Sequence, residues 1–183
     1  MSVHEGVSPA ARRYVLTVLG LIVAAAALGT AVYLLLGGKA PRLFGEEAPP
    51  GTVAYQLQGG ERSPVTVFLE VAATPEQRSV GLSNRDTLAD RRGMVFLFPG
   101  DVDSAFWMKD TRVPLSIAFV AADGRVVSLR DMTPCTADPC PTYAPEGAYR
   151  YAIELPAGAF AAAGVDKGDR VTPLDASALP TPS

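Results

Sequence analysis

Apolar and polar positions divide the chain into three rhythms. From Tyr14 to Leu36, "YVLTVLGLIVAAAALGTAVYLLL", 23 consecutive positions carry no charge. At about 1.5 Å per residue, a helix of that length crosses a hydrocarbon core roughly 30 Å thick, so the run predicts a transmembrane helix over 14–36. The competing reading, a cleaved signal peptide, requires a shorter apolar centre of about 7–15 residues and a small-residue exit. Here the exit is the bulky "YLLLGGKAPRLFG", which favours a retained anchor.

Between 37 and 64 no period holds, and Gly and Pro are frequent; this segment reads as a partly stiffened tether. From Val65 a period of two sets in. "VTVFLEVA" alternates Val65, Val67, Leu69 and Val71 against Thr66, Phe68 and Glu70, the pattern of a half-buried strand. Thr74, Pro75 and Gln77 then form a capping-box start for a short helix that Gly81 ends early. Further strands are expected at "GMVFLFP", "AFWMK", "LSIAFV" and "RVVSL", the last after an Asp123-Gly124 turn. In "YRYAIEL" the residues Tyr149, Tyr151, Ile153 and Leu155 share a face. Pro156 opens a second short helix that Gly164 stops, and "GDRVTPL" returns as a strand.

Many short strands with two small helices predict a mainly β (α+β) domain: a compact, antiparallel, partly closed barrel-like sheet. The expected organisation is a short cytoplasmic tail over 1–13, the membrane helix over 14–36, the tether over 37–64, the β-rich domain over 65–174 and a fraying tail over 175–183. Arg12 and Arg13 before the span are matched by Lys39 and Arg42 after it, and a long domain translocates largely regardless of its own charge. The expected placement has the amino terminus inside and the domain outside the cell membrane.

Composition changes this picture in two places. From Thr52 onward 12 Lys and Arg stand against 16 Asp and Glu, with no basic patch of the kind nucleic-acid binding needs. The only cysteines, Cys135 and Cys140 in "TPCTADPCPTY", are spaced to close a small loop by a disulfide, which persists in an oxidising compartment. A zinc site and a reduced pair are the alternatives. Two thiolates are half of a tetrahedral set, and the only histidine, His4, precedes the span.

The ordered succession "GMVFLFP", "FWMKDT", "VPLSIAFVAADGRVV", "PCTADPCPTY" and "YAIELPAG" through "GVDKGDRV" resembles the prokaryotic domain-of-unknown-function family 192, over about Val65 to Val171. The resemblance implies a compact, mostly β domain, often exported or membrane-anchored, and no agreed activity. It draws attention to Gly81-Leu82, Gly93-Met94, Phe106-Trp107-Met108-Lys109 with Thr111, Pro114-Leu115, Gly124 and Gly168-Asp169. An acid expected after Pro-Leu is replaced by Ser116.

On a strand through Ser104 to Lys109, Phe106 and Met108 face one way and Trp107 and Lys109 the other. An aromatic plate beside an ammonium can stack a ring or meet an anion; a core-filling Trp107 with Lys109 snorkelling past it is the bland alternative. The expected binding group is Trp107, Lys109, Arg85, Asp110 and Thr111. Without histidine in the outer domain, catalysis is left with a Ser116–Lys109 pair or two carboxylates drawn from Glu70, Asp86, Asp110 and Asp131. Asp101 and Asp103 fall short of a calcium ligand set, so no metal and no cofactor is expected. The favoured function is a membrane-anchored extracytoplasmic binding or accessory module for an envelope small molecule, polymer or membrane protein, and the alternative is an envelope-acting enzyme.

Overall fold

The computed structural model describes residues 48–183; the expected tail, span and first part of the tether lie outside the described residues. Among the described residues no helix is long and apolar enough to cross a membrane.

Among the described residues nine strands and two short α-helices follow one another: β1 (Val53–Gln58), β2 (Val65–Ala72), α1 (Pro75–Val80), β3 (Arg92–Val102), β4 (Phe106–Trp107), β5 (Leu115–Val120), β6 (Val126–Met132), β7 (Thr142–Tyr143), β8 (Tyr149–Pro156), α2 (Ala159–Ala163) and β9 (Arg170–Pro173). Seven form one sheet in the order β6-β5-β8-β3-β2-β1-β9, and β4 and β7 form a separate ribbon. The sheet curls until its edges meet at one end: Val126 N–H donates to the Asp169 carbonyl and Val171 N–H to the Gly124 carbonyl, each at 2.8 Å. The domain is therefore mainly β with a curled, barrel-like sheet.

Two differences from the expected sheet have physical causes. β2 and β3 pair in parallel, because the 73–91 connection, with α1 in it, is long enough for a crossover. Val53–Gln58, expected in the tether, is a strand with Tyr55 and Leu57 buried; its alternation is short and flanked by Gly and Pro, which hides it in the sequence. The 175–183 tail, expected to fray, carries a 3-10 turn at Ala176–Ala178, and Ser183 N–H donates to the Ala73 carbonyl.

Side chains alternate between two cores. Val67, Leu69, Val95, Ala118, Ile153, Leu155 and Phe160 fill the concave interior. On the convex face Phe96, Met94, Ile117, Phe119, Ala152, Met108 and Leu82 form a second cluster. Tyr149 belongs to this second cluster although its sequence parity matches Tyr151, because the β3–β8 register breaks between Leu97 and Val102.

A candidate binding cleft on the convex face

The local chemistry of α1 sets one wall of the cleft. Thr74 Oγ1 accepts from Gln77 N–H while Gln77 Oε1 accepts from Thr74 N–H, the reciprocal cap that starts the helix. Arg78 then donates to the carbonyls of Ala73, Leu97 and Ser183, and its guanidinium lies 4.9 Å from the Phe98 ring centre. Gly81 ends the helix at φ 51°, a left-handed conformation that a Cβ resists. Asn84 and Asp110 also have positive φ, and Asn84 N–H donates to the Asp110 carbonyl at 2.8 Å. That bond ties the loop after α1 to the turn after β4.

The opposite wall is the β4–β7 ribbon and the residues that follow β4. Phe106 pairs with Tyr143 and Trp107 with Thr142. Met108 is buried in the convex core, whereas Trp107 is 60 % exposed, so the alternation places Trp107 outward. Lys109 and Thr111 each bridge to Cys135, and Cys135 and Cys140 are at disulfide-bonding distance with Cα atoms 5.8 Å apart. The loop that they close carries Asp138, whose carboxylate takes Lys109 Nζ at 2.7 Å. That contact holds the ammonium above the usual lysine range.

Between the walls lies a cleft of about 40 Å³ lined by Phe96, Phe106, Trp107, Lys109, Thr111 and Glu154 among others. Glu154 comes from the centre of the sheet, where it pairs with Met94 on one side and Ile117 on the other. Glu154 is only 4 % exposed, and its carboxyl makes no hydrogen bond or ion pair within the protein. It is not sealed in, however, because no buried side-chain oxygen lacks a partner: an unpaired carboxyl with that property opens onto the cleft. Burial alone pushes its pKa up to about 8, since a charge removed from water without a partner is disfavoured. Glu154 is therefore a neutral acid at pH 7. Thr111, 5 % exposed, lines the same cleft, and its hydroxyl has no protein partner.

Of the five residues expected at a binding site, the cleft brings together Trp107, Lys109 and Thr111. Asp110 contributes its carbonyl to the rim turn through Asn84. Arg85 does not join them: its guanidinium grips the Glu70 carboxylate in bidentate fashion, with 2.8 Å at Oε2, and lines a different recess. Arg85 holds Glu70 below the usual carboxylate range.

The candidate catalytic pairs are dispersed. Ser116 alternates with Ile117 on β5 and faces the recess by Phe160 and Val165, where it donates to Asp131 and accepts from Gly158 N–H. Lys109 lies on the convex side, so the sheet separates the two. Of the candidate carboxylates, Glu70 is held by Arg85, Asp86 by Arg112 and Asp131 by the Ser116 hydroxyl. Among the described residues no group of three or more His, Cys, Asp or Glu is placed to hold a metal ion.

Sequence reasoning missed Glu154. Placing Tyr149, Tyr151, Ile153 and Leu155 on one face put Glu154 on the other, and α1 and the β4–β7 ribbon cover that other face. The sequence carries no signal of that cover, because Arg150, Ala152 and Glu154 alternate on this face, two charges around one alanine, the pattern of a solvated strand face.

Comparison with known proteins agrees with this architecture. A crystal structure of a proposed transcription regulator from Sinorhizobium meliloti is 28 % identical with a TM-score of 0.62, covering 70 % of this chain and 98 % of its own. A protein of unknown function from Novosphingobium aromaticivorans is 27 % identical with a TM-score of 0.62, covering 70 % of this chain and 93 % of its own. No curated protein matches. The model of the family DUF192, described as "Uncharacterized ACR", matches residues 56–173, well over half of the sequence. The chain thus belongs to domain-of-unknown-function family 192.

Proposed function

We propose that this chain is a membrane-anchored extracytoplasmic binding module whose convex cleft takes a small group of an envelope molecule. The observation that carries the reading is Glu154, a buried carboxyl with no partner at the floor of an aromatic-walled cleft. Native proteins pair nearly all of their buried polar groups. One that opens unpaired into a cleft, with a strongly shifted pKa, marks a place for a ligand.

The anchor rests on the uncharged run of 23 residues from Tyr14 to Leu36. The cysteine pair at bonding distance supports an oxidising location. Nucleic-acid binding is not favoured, because from Thr52 onward 12 Lys and Arg stand against 16 Asp and Glu with no concentrated basic run.

The enzymatic alternative has one supporting observation: a cleft carboxyl protonated at neutral pH is in the state of a general acid. The cleft's charged neighbours, Arg78 and Lys109, are committed to carbonyls and to Asp138, so binding is the function proposed.

Trp107 is the chain's only tryptophan, which makes its emission a direct reporter of the cleft. The full chain titrated with soluble fractions of envelope material is expected to change that emission saturably, and Glu154→Gln to remove the change. An unaltered response in Glu154→Gln would place binding elsewhere. Protease added outside intact cells is expected to cleave the domain; protection until lysis would overturn the location.

A further inference from the structure

The cleft limits what can enter it. Its volume of about 40 Å³ exceeds the roughly 10–15 Å³ that one water requires, but it does not admit a sugar ring or a nucleobase. A terminal group of a few heavy atoms fits, with the rest of its molecule outside along the exposed Trp107. The floor offers acceptors: the Glu154 carboxyl and the Thr111 hydroxyl, neither with a protein partner. The walls are aromatic, Phe96 and Phe106 meeting edge to face with centres 5.0 Å apart.

What is missing is a positive charge for Glu154. Lys109 Nζ is held by Asp138 and Arg78 by three carbonyls. The strand neighbours of Glu154, Met94 and Ile117, do not titrate. Glu70, the next ionisable group along that row, belongs to Arg85. No protein charge offsets the burial of Glu154. Acceptors at the floor, aromatic rings around them and an unfilled demand for a cation describe a receptor for an ammonium head, which donates to oxygens and is attracted to ring faces.

We infer that the cleft binds the terminal ammonium of a primary amine, with Glu154 and Thr111 accepting its hydrogen bonds and Phe96, Phe106 and Trp107 surrounding it. The inference rests on the reading of this cleft as a binding site. Entry of the cation ionises Glu154, and its proton leaves to solvent, so binding releases up to one proton below pH 8 and none well above it. The affinity of an amine that stays protonated therefore rises with pH until Glu154 is ionised in the empty protein as well.

The test compares n-butylammonium with n-butanol, its uncharged counterpart, on the full chain in non-ionic micelles, read by Trp107 emission. n-Butylammonium is expected to bind with an affinity that rises about tenfold from pH 6 to 7 and levels off above about 8. n-Butanol is expected to leave the emission unchanged. Glu154→Gln, with its fold checked by circular dichroism, is expected to weaken n-butylammonium at least about tenfold, the scale of a charged hydrogen bond. Equal binding of the alcohol, an amine affinity flat from pH 6 to 9, or no binding of either probe overturns the ammonium assignment. The binding reading itself falls only if Glu154→Gln also keeps the response to envelope fractions.

Discussion

Glu70 and Glu154 stand on one cross-strand row of the convex face, on either side of Met94. Two inter-strand steps separate them, about 10 Å, yet the protein treats them in opposite ways. Glu70 sits near the surface with both oxygens taken by Arg85, and its pKa falls. Glu154 sits under α1 and the β4–β7 ribbon with no partner, and its pKa rises to about 8. The first acid is satisfied inside the chain and has nothing left to offer a ligand. The second costs the fold stability and retains all of its hydrogen-bonding capacity, which is the usual trade between stability and function.

The comparison breaks most completely if the strand carrying Glu154 is moved. A Cβ at position 93 would lie 1.9 Å from the Glu154 carbonyl oxygen, so only glycine allows β3 and β8 to approach there. Gly93→Ala is expected to lower stability by about 3 kcal/mol or more, measured by urea unfolding, and to abolish the Trp107 response. Near-native stability in that variant would show that the strands have room to shift.

Next in size is Glu154→Gln, which should stabilise the protein. The folded state keeps a proton that the unfolded chain loses, so the wild type loses stability as pH rises from about 4.5 to about 8 and no further above that. The full linkage effect of such a shift is on the order of 4 kcal/mol at pH 8. An unpaired buried amide returns part of it, leaving an expected gain of about 2 kcal/mol. At pH 4 the linkage gain is gone and only the cost of the buried amide remains, so the substitution should then destabilise by about 2 kcal/mol; a gain equal at both pH values would mean that burial of the charge is not its cause.

Arg85→Ala sharpens the other side. Glu70 has a lowered pKa, so its contribution is present above the ordinary carboxylate pKa and is lost as pH falls through the folded value. Both partners are about a third exposed or more, so the expected loss at pH 7 is about 0.5–1 kcal/mol, disappearing in acid. A response to amine that is lost with Arg85 would show that the two acids share one site. Smallest in stability is Trp107→Ala, expected within about 0.5 kcal/mol of wild type because the ring is exposed.

What the sequence made legible was local. The Thr74–Gln77 cap, the Asp123-Gly124 turn joining β5 to β6 and the Gly164 stop each depend on a few adjacent residues, and each appears where the pattern places it. The outward position of Trp107 follows from the same alternation. Pairings between distant segments were not legible: β1 against β9, or β2 parallel to β3. The cleft depends on such packing. Trp107, Lys109 and Thr111 were visible as a cluster in sequence, but Glu154 joins them from a strand more than 40 residues later, beneath a cover that periodicity does not report. Arg85 was misplaced for the converse reason, since nothing in its own segment shows that Glu70 waits across the loop.

The most direct test of this account is the ionisation of Glu154 itself, followed by the chemical shift of its side-chain carboxyl carbon in the full chain between pH 3 and 10. The account predicts a midpoint near 8 in the empty protein, moving downward when n-butylammonium is present. A midpoint in the ordinary glutamate range without ligand would show a carboxylate already solvated or paired, and would contradict the claim that the fold holds this acid open for a partner.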